Sequence, residues 1–268
     1  MISKNVIKQI HSLEQRKFRK TEGKFVAEGN KLVEDNLSAM RCHRLVATTQ
    51  WWEQHDYAHS LAEECFEVTR EEMEKTSLLQ TPQDVLAVFY IPEHAPFTPS
   101  PDELTLALDC IQDPGNLGTI IRLCDWFGIH DIICSATTAD CYSPKVVQAT
   151  MGAIARVRVH YLDLPECLAN ARSQGISIYG TFLEGTNIYS TELSGNGIIV
   201  MGNEGNGISD EVASIVTHKI NIPSFPAGSV TSESLNVGIA TAITVAEFRR
   251  RLLGYEKSIG YHSQLEWQ

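Results

Sequence analysis

Between Val237 and Phe248 the chain reads VGIATAITVAEF, small and apolar on almost every side of a helix. A helix patterned this way has no solvated face, so it is expected to be buried within a substantial core. The preceding stretch, INIPSFPAGSVTSESLN, runs from a strand end into a polar loop. Pro223, Pro226 and Gly228 break regular structure there, and Ser232 or Ser234 is positioned to cap the helix. Asn236 falls in the first turn beside exposed backbone N–H groups. That arrangement fits a pocket for a polar ligand at the edge of a core, and it equally fits a plain capped core helix. Arg249, Arg250 and Arg251 come in the last turns, where positive charge complements the helix dipole, and Gly254 suits termination.

A helix that needs covering on all sides needs a chain long enough to cover it. The 268 residues, 43% of them hydrophobic, suffice for one large or two ordinary domains. No apolar run follows the N-terminal charges and no stretch is long enough to span a bilayer, so a soluble cytosolic protein without membrane contact is expected. Seven scattered cysteines, an odd number without a C-x-x-C pair, suit a reducing compartment. The net charge of −11 argues against general polyanion binding, yet it is unevenly spread: residues 1–31 carry +5 and the remainder −16. Any RNA contact should lean on that arm, with Arg16, Lys17, Arg19, Lys20 and Lys24 as the candidate cations.

Hydrophobic periodicity predicts an α/β protein in two parts. The first alternates helix over 3–20, strand 25–27, helix 31–40, strand 44–47, helix 57–65, strand 66–68, helical turn 71–75 and strand 85–90. Four prolines within IPEHAPFTPSPDE then forbid a continuing element, which sets domains at 1–95 and 104–268 with a linker over 96–103. The second part alternates strand 104–110, helix 117–127, strand 131–135, helix 145–152, strand 155–160, helix 164–174, strand 176–181 and strand 197–201. A parallel sheet is expected there.

Two motifs sit at strand ends. In DPGNLGTIIR (113–122) Pro114 and Gly115 are expected to force a tight turn, and Asn116 to open a helix whose polar face holds Gly118, Arg122 and Asp125. Asn116 and Arg122 could together hold a phosphate or sugar at the carboxyl edge of a parallel sheet; a cap plus an Arg122–Asp125 surface pair explains them as well. In IIVMGNEGNGIS (199–209) Gly202, Gly205 and Gly207 permit positive φ and close approach. The spacing is not that of a dinucleotide-binding fingerprint. Ser209 is placed to cap the next helix, while Glu204, an acid inside a glycine turn, is expected to be placed for a hydrogen bond. His55 and His59 without a third ligand read as a solvated pair rather than a metal site, so no metal is expected, and Trp51–Trp52 reads as core and rim rather than a stacking platform.

D-P-x-N-x-G-x-x-x-R at 113–122, M-G-x-E-G-x-G at 201–207 and I-P…G-S-V…S-L-N-V at 222–237 together resemble the SpoU (TrmH) family of RNA 2′-O-ribose methyltransferases. KFRKTEGKFVAEGNKLVED with TPQDVLAV is similar to the L30e-like substrate-binding domain that many members carry. The resemblance implies a SPOUT domain with a parallel sheet and a trefoil knot, a homodimer, S-adenosyl-L-methionine as cofactor, and rRNA, or alternatively tRNA, as substrate. It also implies that Gly202, Ile222 and Leu235 touch the cofactor, that Glu204, Ser234 and Asn236 shape its pocket, and that Asn116 and Arg122 face the ribose. The competing reading is a non-catalytic RNA-binding protein that uses the L30e-like domain.

Overall fold

The computed structural model describes residues 2–226 and 232–258, with side chains to 253. By internal contacts the chain forms two compact units: Met1–Pro96, Asp113–Asp125 and Ala139–Arg158 in the first, Phe97–Gln112, Trp126–Thr138 and Val159–Gln268 in the second.

In the first unit the basic N-terminus forms two helices, α1 (Lys4–Ser12) and α2 (Arg16–Glu22), where one is expected. Ser3 caps α1 through its side chain and the chain turns at Leu13, whose N–H bonds back to Ile10. There follow β1 (Lys24–Glu28), α3 (Asn30–Leu37), β2 (Cys42–Thr48), α4 (Thr49–Gln54), β3 (Ala62–Val68), α5 (Arg70–Thr76) and β4 (Val85–Tyr90). The sheet runs β1-β4-β2-β3, with β2 and β3 parallel and the other two pairings antiparallel. Residues 57–65 are not the expected helix: a short 3₁₀ turn over Asp56–Ser60 leads into β3, because Cys65 and Phe66 pair with Leu45 and Val46. Tertiary pairing overrides the local helical spacing. Trp51 and Trp52, on α4, are both buried, and His55 and His59 stack on them at 4.1 and 3.8 Å, so that pair is not simply solvated.

The parallel sheet comes from β5 (Leu104–Leu108), α6 (Pro114–Trp126), β6 (Asp131–Cys134), α7 (Pro144–Thr150), β7 (Arg158–Tyr161), α8 (Leu164–Ser173), β8 (Ile178–Asn187), β9 (Gly197–Met201), α9 (Asp210–Ile215), β10 (His218–Asn221) and α10 (Val237–Ser258). Its order is β10-β8-β9-β5-β6-β7, and β10–β8, β8–β9, β9–β5 and β5–β6 pair in parallel. Leu106, Ala107, Ile133, Ile178, Ile199 and Val200 are fully buried, as a sheet covered on both faces requires. Among the described residues no helix is long and apolar enough to cross a membrane.

The helix α10 departs from expectation in three ways. It runs past Gly254 to Ser258. Its cap is Asn236 rather than Ser232 or Ser234: Asn236 Oδ1 accepts the N–H groups of Gly238 at 3.0 Å and Ile239 at 3.3 Å. And it is covered on one side only. Val237, Thr241, Thr244, Val245 and Phe248 are buried, whereas Ile239 is 53% and Leu253 58% exposed, with Ala242, Ile243 and Ala246 half-buried between them. Ile239, Ala242, Ile243 and Ala246 recur at helical spacing and make an apolar stripe, which exposed Arg250 separates from Leu253. The arginines close its far end: Arg250 and Arg251 both donate to Glu247, holding that carboxyl down at about 2, and Arg249 donates to the carbonyls of Phe127 and Gly128.

Candidate active site

In the second unit the strand order reverses beside β5: β6 lies on one side of it and β9 on the other. Open parallel sheets bind ligands at the carboxyl edge of such a switch point. Both strands end there, β5 at Leu108 and β9 at Met201, and the loops that leave them are tied together. Asp109 N–H donates to Met201 O at 2.9 Å. Asp109 Oδ2 accepts from Ser209 N–H at 2.8 Å, and Cys110 O accepts from Asn203 Nδ2 at 2.8 Å. Cys110 itself adopts φ 61°, a strained value for a residue with a Cβ, and its N–H is held by Ser135 Oγ at 2.8 Å.

The loop after β9 is closed by its own backbone. Asn203 and Gly207 exchange N–H···O bonds of 2.8 and 2.9 Å, and Asn203 Oδ1 accepts from the N–H groups of Gly205 and Asn206. Gly202 is pressed against the far limb: a Cβ there would lie 2.2 Å from both Gly207 C and Ile208 N. Among the three glycines only Gly207 has positive φ, at 71°. Gly202 is therefore required for backbone approach within the loop, and Gly205 for neither reason. Glu204 is exposed at the tip, with Asn203 Nδ2 at 3.5 Å from its carboxylate. Ser209 precedes α9 as expected, with no side-chain capping bond.

Ile222 follows β10 at the same carboxyl edge, two strands from Gly202. Asn221 fixes the start of that loop by donating to the carbonyls of Phe182 and Leu183. Ser234, Leu235 and Asn236 are exposed residues leading into α10, and Asn236 combines its capping role with that position. The intervening residues 227–231, which include Gly228, Ser229 and Val230 of the third motif, lie outside the described residues. Gly202, Glu204, Ile222, Ser234, Leu235 and Asn236 thus all belong to the second unit.

Asn116 and Arg122 belong to the first. Pro114 is the first helical residue of α6 rather than part of a turn, the place where a missing N–H costs nothing. Asp113 acts as cap, its Oδ1 accepting Asn116 N–H at 2.8 Å. Six residues and ~9 Å of helix separate Asn116 from Arg122, and with Thr119 they fall within an arc of about 120°. Arg122 is exposed and makes no ion pair among the described residues. Of the two readings, the Arg122–Asp125 surface pair is not formed among the described residues; Asp125 instead takes the Arg156 fork at 2.8–3.1 Å. Gly118 is not on the polar face either. It is buried against α7, where a Cβ would come within 2.4 Å of Ala149 Cβ and 2.9 Å of Val146 O, so the N-x-G spacing serves helix packing.

Among the expected RNA-facing cations, Arg16, Lys17 and Lys20 are exposed and Lys24 partly so. Arg19 is corrected. It is 3% exposed, forms an ion pair with Asp140 at 2.6 Å and donates to the carbonyls of Leu13 and Glu14 at 2.7 Å. A guanidinium buried this way braces the α1–α2 turn and has no edge left for RNA. The residue missed from sequence is Asn203, the brace of the glycine loop. Its signal was an Asn directly before an acid–Gly step, where its side chain readily bonds the backbone two residues on.

Comparison with known proteins places this geometry. Residues 103–246 match the SpoU rRNA methylase family and residues 4–87 an MRM3-like substrate binding domain. An uncharacterized tRNA/rRNA methyltransferase from Synechocystis sp. is 30% identical over 92% of this chain and 91% of its own length. The 23S rRNA (guanosine(2553)-2′-O)-methyltransferase RlmP of Bacillus subtilis is 27% identical over 91% of this chain and 95% of its own. Among solved structures, a TrmH-family protein from Porphyromonas gingivalis is 43% identical, with TM-score 0.83 over 94% of this chain and 99% of that one. An AdoMet-bound rRNA methyltransferase from Sinorhizobium meliloti is 30% identical, with TM-score 0.82 over 94% and 97%.

Proposed function

Because the chain belongs to the SpoU rRNA methylase family, we propose that it transfers a methyl group from S-adenosylmethionine to a ribose 2′-hydroxyl of ribosomal RNA. The observation that carries this reading is the braced loop at the switch point, where Gly202 lets the backbone close on itself and Asn203 ties it to the end of β5. A cradle of backbone groups at the carboxyl edge of a parallel sheet fits a small polar cofactor. Bound there, the sulfonium of S-adenosylmethionine supplies an electrophilic methyl group.

The chain's own residues do the rest. Gly202, Ile222 and Leu235 hold the cofactor through backbone groups, and Glu204, Ser234 and Asn236 shape the pocket. The 2′-oxygen must attack in line, forming an O–C bond as the S–C bond breaks and releasing its proton to solvent, so orientation provides most of the acceleration. Asn116 and Arg122 orient the ribose. A guanidinium with a pKa above about 12 is a poor proton acceptor near neutrality, so Arg122 acts by holding the neighbouring phosphate and the 2′-hydroxyl.

Residues 1–95 are assigned to substrate binding and 104–268 to catalysis, with Arg16, Lys17, Lys20 and Lys24 toward RNA. The C-terminal segment is threaded as a trefoil knot, and the protein works in the cytoplasm, in keeping with seven free cysteines. It acts as a homodimer that covers the apolar stripe of α10. Ile239→Glu is then expected to shift the protein to a monomer in sedimentation equilibrium; an unchanged mass would remove α10 from the interface.

The direct test is transfer of labelled methyl from S-adenosylmethionine to RNA purified from a deletion strain, followed by mapping of the labelled ribose. Label in ribosomal RNA at a 2′-oxygen is the expected result. Label in transfer RNA alone would change the substrate, and cofactor binding without any transfer would favour an RNA-binding role.

A further inference from the structure

One end of the first unit's sheet carries an extra residue. The β2–β4 ladder pairs Cys42 with Phe89 and Arg44 with Val88, leaving His43 without a partner. Successive strand residues normally point to opposite faces. A bulge re-aims them, and here His43 and Arg44 line the same small cavity, about 100 Å³ in volume. Its polar walls are Gln9, Ser12, Glu22, Lys24, His43 and Arg44, above a floor that includes Ile10 and Val88.

The donors around this cavity are fixed from one side only. His43 Nδ1 lies 2.9 Å from Glu63 Oε2 and 3.3 Å from Tyr90 Oη, leaving Nε2 without a hydrogen bond among the described residues. Arg44 gives Nε to Glu64 at 2.8 Å and Nη1 to Gln9 Oε1 at 2.7 Å, while its Nη2 makes no hydrogen bond among the described residues. Lys24 Nζ rests 5.2 Å from the centroid of the Tyr90 ring and forms no ion pair among them. Two nitrogen donors with unused capacity, Arg44 Nη2 and Lys24 Nζ, thus border one cavity together with the open Nε2 of His43, which donates when the ring is protonated, and a single lining carboxylate, Glu22, in a chain whose net charge is −11. The volume holds about three waters, which suits a phosphate group and is too small for a nucleoside. Exposed Arg16, Lys17 and Lys20 on α2 extend the positive surface along the chain toward Lys24.

We propose that this bulge-built cavity is a phosphate site for the backbone of the substrate RNA, with Lys24 and Arg44 as its donors and His43 as a third in its imidazolium form. The inference rests on the RNA methyltransferase reading and adds to it a contact that orients the RNA on the N-terminal unit. Phosphate contacts position a nucleic acid without reading its sequence.

The test measures binding of transcribed large-subunit rRNA domains across a salt series, with the full-length protein and with Lys24→Gln/His43→Gln, which leaves the Arg44 ion pair in place. Lys75→Gln, an exposed cation on α5 outside the cavity, serves as the control for loss of one lysine charge elsewhere on the same unit. The double variant is expected to bind about tenfold more weakly at moderate salt and to flatten the slope of log K against log salt by about 1 to 2. S-adenosylmethionine affinity and melting temperature should match the unmodified protein, and the control should keep its slope. Equal slopes for double variant and control overturn the site while leaving the methyltransferase reading intact. Phosphate binding in the cavity without any effect on RNA makes it an adventitious ion site only, which also overturns the proposal. Failure of the unmodified protein to bind RNA at all is the separate failure of the underlying reading.

Discussion

Replacing Arg122 by alanine is expected to lower methyl transfer by about 10²- to 10³-fold, the loss typical when a preorganised donor is removed from a reacting centre. The side chain is exposed and makes no ion pair among the described residues, so its removal should leave the fold within about 0.5 kcal/mol of the original. Cofactor affinity should also hold, because the residues assigned to the cofactor lie elsewhere in sequence. The informative companion is Arg122→Lys. A lysine keeps the charge and loses the planar fork that can engage a phosphate and a hydroxyl together. It is expected to behave like alanine to within about tenfold. Single-turnover transfer at saturating RNA, paired with calorimetric S-adenosylmethionine binding, separates the possibilities. Full activity in the lysine variant would show that charge alone suffices, and parallel loss of cofactor binding in both variants would assign Arg122 a structural part.

Most of the architecture behind that prediction is legible from residue patterns. Buried parallel strands such as β5 and β9 are continuous apolar runs, and α6 announces itself by Leu117, Ile120, Ile121 and Cys124 at helical spacing. What escapes is what depends on distant partners. Residues 62–68 carry charges at Glu63, Glu64 and Glu67 that look helical until β2 supplies a parallel neighbour. Arg19 stands among exposed cations and differs from them only because Asp140, 121 residues on, completes an ion pair beside it. Gly118 reads as a polar-face residue because a pattern cannot register a helix arriving within 2.4 Å of where its Cβ would be. The α10 stripe is the converse case. Its sequence pattern predicts burial on every side, and the folded chain covers about half of it, leaving Ile239 exposed, because a pattern of small apolar residues does not say which neighbours will cover them.

The candidate site divides along the same line. Its residue types are visible in the three motifs, whereas the reason for each is visible only in the folded loop, and Gly202 shows this most sharply. Gly202→Ala is expected to weaken S-adenosylmethionine binding by at least about 100-fold, or roughly 2.7 kcal/mol, and to lower stability by about 1 to 3 kcal/mol. The added methyl would meet Gly207 C, Ile208 N and Gly207 O at 2.2 to 2.6 Å, all of them backbone atoms that cannot rotate away. Relief requires the two limbs of the loop to part by about 1 Å, which strains the Asn203–Gly207 exchange and, through Asn203 and Ser209, the ties to Cys110 and Asp109. Gly205→Ala makes the same chemical change three residues along. Its Cβ would find only Asn203 Oδ1, at 3.6 Å, and its φ is not positive, so binding should stay within about threefold. Calorimetric titration of both variants against the same cofactor decides the matter. A large loss at 202 with little at 205 identifies backbone closure as what the cofactor reads, while equal losses would make the loop's general flexibility the cause. Normal binding in Gly202→Ala would move the cofactor away from this loop altogether.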